Sequence, residues 1–377
     1  MNGGLSLNRI WAVLMKEFIQ LTRDRLTYAM LLAVPVVQLL LFGYAINSDP
    51  HHLPTAVLVQ DHGPMARSAL SALAGSGYFE ITEEAATPDE LDRALALGRV
   101  QFTITIPADF SRRVVRQDRP QILIEADAAD PTATSGALAA AAGLPAEALK
   151  RDLVGPLARP TAGAPFEVVV HRRYNPEAIS AYNIVPGLLG VILSLTLVMM
   201  TSLGVTREYE RGTMESLLAT PVKPLEVMIG KLAPYVLVGL VQTALILTLG
   251  RALFDVPVSG GWGALTLGVL LFIVGSLALG FLISTVARSQ LQAMQMSFFY
   301  ILPSILLSGF MFPFRGMPGW AQAIGTIIPV THFLRVVRGA LLKGLGIAEL
   351  WPSLGALGLF VLAISALAMA RYRTTLD

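Results

Sequence analysis

YNIVPGLLGVILSLTLVMMTSLGVT (182–206) runs for 25 residues without Asp, Glu, Lys, Arg or His. About 20 apolar residues at helical rise cross the ~30 Å hydrocarbon layer of a bilayer, so this stretch is long enough to span one. Five more runs of the same kind lie at 26–46, 232–250, 261–287, 289–314 and 350–370, and none of them holds Asp, Glu, Lys, Arg or His. A buried helix in a globular core explains one or two such runs, not six. The composition agrees: 54% of the 377 residues are hydrophobic and 14% charged, where soluble domains carry about 25% charged residues.

Between the first two runs, 47–180 has a different character. It holds 17 of the chain's 26 acidic residues and 12 of its 28 basic ones. TAVLVQD (55–61), YFEIT (78–82), FTITIP (102–107), QILIEAD (121–127) and FEVVV (166–170) are strand-like. MARSALSALAG, PDELDRALALG, ADFSRRVVRQ and the Ala-rich TATSGALAAAAGLPAEALKRDL (132–153) favour helix. The expectation is an inserted α/β domain within an α-helical polytopic membrane protein of six transmembrane helices. With 134 residues the insert can bury its own core without disulfides. The chain has no cysteine, which excludes disulfides, thiolate metal sites and a cysteine nucleophile.

Orientation follows from basic residues in the short flanks. Termini placed in the cytoplasm put Arg9, Lys16, Arg23, Arg25, Arg207, Arg211, Lys223, Lys231, Arg288, Arg371 and Arg373 inside, and leave Arg251, Arg315, Arg335, Arg338 and Lys343 outside. Eleven against five favours this arrangement and makes 47–180 extracytoplasmic. Ile10, Trp11, Leu14, Phe18 and Leu21 recur at helical spacing within 1–25. That segment is expected to be an amphipathic cytoplasmic helix, lying on the lipid bilayer or packed on a partner subunit. Charged residues interrupt it and no small-residue cleavage site follows, so it is not expected to be a signal peptide. Segment 315–344 is apolar but broken by Pro318, Pro329 and glycines. It reads as two short helices at the outer leaflet, with a seventh span as the competing reading. Residues 371–377 form the cytoplasmic tail.

Runs free of Asp, Glu, Lys, Arg and His carry no proton or ion relay of the kind that ion-coupled transporters place at mid-membrane. A Walker A loop is absent too: Gly230-Lys231 is the only Gly-Lys pair, and Leu232 follows it where Ser or Thr is required. The five histidines (His51, His52, His62, His171, His332) show no HExxH spacing, and there is no GxSxG elbow. No catalytic, metal or cofactor-binding residue is expected, nor a nucleic-acid partner. An ATP-independent membrane sensor remains as an alternative, but it needs a cytoplasmic output domain that RYRTTLD (371–377) does not supply.

The longest cytoplasmic connection, 207–231, contains REYERGTMESLLATP (207–221). It resembles the motif RExERGTxExLxxTP that follows the second span in type-2 permeases of the ATP-binding-cassette (ABC) superfamily. NIVPGLLGVIL (183–193), LGFLISTVARSQLQAMQ (279–295), ILPSILLSGFMFPFRGMPGWAQ (301–322) and IIPVTHFLRVVRGALLKG (327–344) are similar to other parts of that family. VLVQD (57–61), IPADFSR (106–112) and ADPTATSGA (129–137) look like the external domain of its bacterial drug-efflux branch. The resemblance implies a permease of the bacterial inner membrane that exports hydrophobic or amphiphilic compounds such as drugs. It implies a second permease copy or paralogue, and a separate ABC subunit that binds ATP and Mg. It also implies an envelope-spanning membrane-fusion adaptor. Arg207, Glu208, Glu210, Arg211, Gly212, Thr213 and Glu215 match the family's ATPase-coupling motif. As surfaces for an amphiphilic cargo the spans offer Met199, Met200, Thr201, Gln242, Thr243, Met294, Met296, Phe298, Phe299 and Tyr300, although helix packing explains the same residues equally well.

Overall fold

The computed structural model describes residues 50–154, 163–210 and 224–371. The expected interface helix (1–25) and first span (26–46) lie outside the described residues, as do 211–223 of the coupling segment and residues 372–377.

Strands β1 (Leu53–Val59), β2 (Phe79–Glu84), β3 (Phe102–Ile106), β4 (Gln121–Asp127) and β5 (Glu167–Arg173) form one sheet in the order β2-β1-β3-β4-β5. β1 runs parallel to β2 and β3, β4 is antiparallel to β3, and β5 is parallel to β4. Helices α1 (Pro64–Gly75) and α2 (Pro88–Ala96) return the chain between the parallel strands β1, β2 and β3, the crossover that parallel pairing demands. Side chains alternate across the pleat. Val57 enters the larger core with Met65 and Leu73 of α1, Phe110 of α3 (Phe110–Arg116) and Leu138 of α4 (Pro131–Gly143). Ala56 and Leu58 pack instead against Leu91 and Leu95 of α2. The expected Ala-rich helix at 132–153 stops at Gly143 and gives way to a 3-10 turn, Leu144–Ala146. Pro145 lacks the N–H that would continue the α-helical ladder, and its ring clashes with the preceding turn.

The helical body begins with α5 (Ala181–Glu210), α6 (Pro224–Phe254), α7 (Trp262–Val286) and α8 (Gln290–Leu307). It continues with α9 (Gly319–Gly325), α10 (Pro329–Lys343) and α11 (Ile347–Arg371). Among the described residues, α5, α6, α7 and α11 are long and apolar enough to cross a membrane, which makes the chain a helical multi-pass membrane protein. The pair α9 and α10 passes the same test only together, and it is bent by 81° at the break. The run expected as one span over 289–314 is an 18-residue helix that ends at Leu307, before Gly309 turns the backbone to φ +82°. The stretch 224–231, expected to belong to the cytoplasmic connection, is continuous with the apolar part of α6.

Helix α7 sits at the centre of this body. Phe272 stacks on Phe333 of α10 with ring centroids 4.1 Å apart. Small residues bring its backbone close to its neighbours: a Cβ at Gly280 would lie 2.7 Å from the Val198 carbonyl oxygen and 2.9 Å from Thr201 Cβ, both on α5. Ser202 Oγ of α5 meets Ser297 Oγ of α8 at 3.0 Å.

Sheet and helical body are joined by a buried ion pair. Lys343 Nζ, at the end of α10, donates to Asp127 Oδ2 at the end of β4 (2.5 Å) and to the Leu95 and Ala96 carbonyls at 3.3 and 3.4 Å. The two charged side chains are 9% and 10% exposed. The ammonium also lies 5.0 Å from the Tyr174 ring centre. Burial, with Asp127 close by, pushes the Tyr174 phenol up to about 12. Arg315, between α8 and α9, adds hydrogen bonds to the Gly98 and Arg99 carbonyls.

Candidate functional site

The charged end of α5 meets the start of α8. Gln290 donates twice to the Glu210 carboxylate, from its backbone N–H at 2.8 Å and from its side-chain amide at 2.5 Å. Arg207 Nε donates more weakly to Gln290 Oε1 at 3.5 Å. The first N–H groups of a helix have no partner within it, and its N-terminus carries partial positive charge. A carboxylate arriving from α5 supplies both the acceptor and the charge. Side-chain and backbone hydrogen bonds from Gln290 hold the Glu210 carboxyl below its ordinary value.

The start of α8 is itself fixed locally. Ser289 caps the helix by accepting from the Gln292 N–H at 3.2 Å, and Gln292 Oε1 accepts from the Arg288 N–H at 2.9 Å. This is a variant of the capping box, read here from S-x-x-Q, in which the returning bond is made by the N–H one residue before the cap. Ser289→Ala is expected to cost about 1 kcal/mol, with Ser289→Asp retaining most of the cap. Thermal unfolding of the purified chain in detergent measures both, and an alanine variant as stable as the parent would remove the cap from this account.

Of the seven residues expected to couple to an ATPase, Arg207, Glu208 and Glu210 are described, and Arg211, Gly212, Thr213 and Glu215 lie outside the described residues. Arg207 and Glu210 are exposed at the end of α5, and Glu208 is half-buried. Gln290, which receives this end, was not singled out by the sequence reading; the S-x-x-Q pattern at 289–292 is the signal that places it at a helix start. The proposed cargo surface is not gathered in one place. Met199, Met296 and Tyr300 pack around Val198, Leu279, Ile283 and Ile301, whereas Met200, Phe298 and Phe299 are exposed. Gln242 and Met294 are half-buried, and Thr201 and Thr243 are buried. Among the described residues, no three His, Asp or Glu side chains come together in a way that could hold a metal ion.

Residues 25–370 match the family described as ABC-2 family transporter protein. The chain is 31% identical over 346 residues to the probable multidrug ABC transporter permease YbhS of Escherichia coli (strain K12), covering 90% of each chain. It is 27% identical over 369 residues to the probable multidrug ABC transporter permease YbhR of the same organism, covering 97% of this chain and 98% of that one. ABC transporter G family member 20 of Dictyostelium discoideum is 25% identical over 350 residues, 89% of this chain and 47% of the relative. No solved structure matches the chain.

Proposed function

This chain belongs to the ABC-2 transporter family and is the permease subunit of an ABC exporter, and from that premise we infer how it is oriented, powered and coupled. Two such permeases, identical or related, form the path for hydrophobic or amphiphilic compounds in the bacterial inner membrane. ATP and Mg are bound and turned over on a separate ABC subunit. Six spans with both termini in the cytoplasm place the sheet outside, where an envelope-spanning adaptor can dock. The names of the Escherichia coli relatives support drugs as cargo.

One observation carries the orientation. Helix α5 runs unbroken from Asn183, whose amide reaches Asp130 beside the sheet at 3.5 Å, to Glu210, which is held by Gln290. The 27 steps from Asn183 to Glu210, at about 1.5 Å each, span about 40 Å, more than the ~30 Å hydrocarbon layer. This length supports the reading that the sheet and the charged end lie on opposite sides of the bilayer, and the eleven-to-five split of basic flanks favours the charged end as the cytoplasmic one.

The coupling residues Arg207, Glu208, Glu210, Arg211, Gly212, Thr213 and Glu215 then face the cytosol. Charged side chains can key into a groove of the ATPase by charge-assisted hydrogen bonds. The ATP state can drive the spans only if that groove binds two permease conformations with different affinity. Arg211→Glu combined with Glu215→Arg is expected to abolish stimulation of the partner's ATPase while membrane insertion is preserved. Co-purification with the ATPase subunit and vanadate-sensitive drug transport by the reconstituted pair are the measurements. Uphill transport by this chain without any nucleotide-hydrolysing partner would overturn the reading.

A further inference from the structure

A cavity of about 510 Å³ lies where the sheet unit meets the turn after α8, the pair α9 and α10, and the start of α11. Its charged lining is unbalanced. Arg315, Arg335, Arg338 and Lys343 face it, as do Asp127, Asp130 and Glu349. Lys343 and Asp127 satisfy each other. Asp130 accepts from Thr132 Oγ1 at 2.6 Å, and Glu349 from the Gly346 N–H at 3.0 Å. The three guanidinium groups have no carboxylate within ion-pair distance among the described residues. Arg315 spends its Nη2 on backbone carbonyls. Arg335 lies over the Phe314 ring, 5.0 Å from its centre. Arg338 donates from Nη2 to the Gly309 carbonyl at 3.2 Å.

Two polar atoms beside these groups are buried and unpartnered: Arg338 Nε and the hydroxyl of Thr331, a residue 1% exposed that also lines the cavity. A buried donor without a partner is costly, and a guanidinium fork matches the two oxygens of a phosphate or carboxylate. The volume falls in the range of small-molecule sites. Phe314, Leu334 and Leu350 supply apolar wall beside the charges. Glu349, Leu350, Pro352 and Ser353, in the first turns of the apolar helix α11, line the cavity as well.

We propose that this cavity binds the anionic headgroup of an amphiphile, a phosphate-bearing lipid whose acyl chains lie along the apolar helix ends. Arg335 and Arg338 grip the headgroup oxygens, and Thr331 donates its free hydroxyl. The site is independent of the coupling reading, since binding needs neither ATP nor a partner subunit.

The test uses the full chain purified in neutral detergent. Short-chain phosphatidic acid, short-chain phosphatidylcholine and inorganic phosphate are titrated separately, and bound molecules are counted by native mass spectrometry. Phosphatidic acid is expected to bind, and Arg335→Gln and Arg338→Gln each to weaken it about tenfold. Arg251→Gln, which lies away from the cavity, is expected to leave it unchanged. Arg335 is exposed and makes only a ring contact, so its variant keeps the test valid if Arg338→Gln fails to fold. Equal binding of phosphatidylcholine, equal binding of inorganic phosphate, or full affinity in Arg335→Gln would each overturn the proposal.

Discussion

Lys343→Met is expected to destabilise the attachment of the sheet to the helical body by about 3–5 kcal/mol, the range for removing one partner of a buried ion pair. The loss is large because Lys343 serves three acceptors at once, Asp127 Oδ2 and the Leu95 and Ala96 carbonyls. Without the ammonium, an Asp127 side chain only 10% exposed is left with an uncompensated charge. Asp127 also accepts from the Ala129 N–H at 3.2 Å through its other oxygen, so Asp127→Asn can keep that bond while removing the charge. The double variant Lys343→Met with Asp127→Asn should therefore recover much of the loss, a coupling that a double-mutant cycle measures directly. The readout is limited proteolysis of the sheet unit in the full chain, alongside thermal unfolding. Additive single effects would mean that the pair does not hold the two parts together.

The second large effect concerns Gly280. In an exposed helix interior, Gly→Ala gains up to about 1 kcal/mol from backbone propensity. At Gly280 the new Cβ would fall 2.7 Å from a carbonyl oxygen and 2.9 Å from a side-chain carbon of α5. Backbone in a packed helix cannot give way as a flexible side-chain end can, and overpacking costs about 1–3 kcal/mol. The steric term wins, so Gly280→Ala is expected to destabilise by about 1–2 kcal/mol and Gly280→Leu by more. Gly355 in α11 is the matched control, with nothing within 4 Å of its added Cβ. Gly355→Ala should be neutral or stabilising. Thermal melts in detergent read both, and the same sign at the two positions would refute the close approach of α5 and α7.

These effects mark where sequence alone stops being informative. The apolar runs at 182–206, 232–250, 261–287 and 350–370 announced α5, α6, α7 and α11, because hydrocarbon selects for uninterrupted apolar side chains. Their ends were less legible: α5 continues to Glu210 and α6 begins at Pro224, since a helical ladder does not stop where hydrophobicity does. All five strands of the sheet overlap a segment read as strand from its β-rich composition. The break after Leu307 was hidden by the apolar run Phe310, Met311 and Phe312, although Gly309 supplies the left-handed turn. At the end of α5, charge marked Glu208 and Glu210, but Gln290, the partner of Glu210, is 80 residues further along the chain. Lys343 was read as one flank cation among five. Its pairing with Asp127, 216 residues away, is a tertiary fact that no local pattern encodes.

Helix α5 is a single lever with a contact at each tip. Bending it would break backbone hydrogen bonds along its length, so a tilt imposed near Gln290 has to reappear as displacement near Asp130. Pro186 removes one rung of the ladder only near the Asn183 end, and the helix continues through it. A displacement at one tip thus needs no relay of side chains to reach the other.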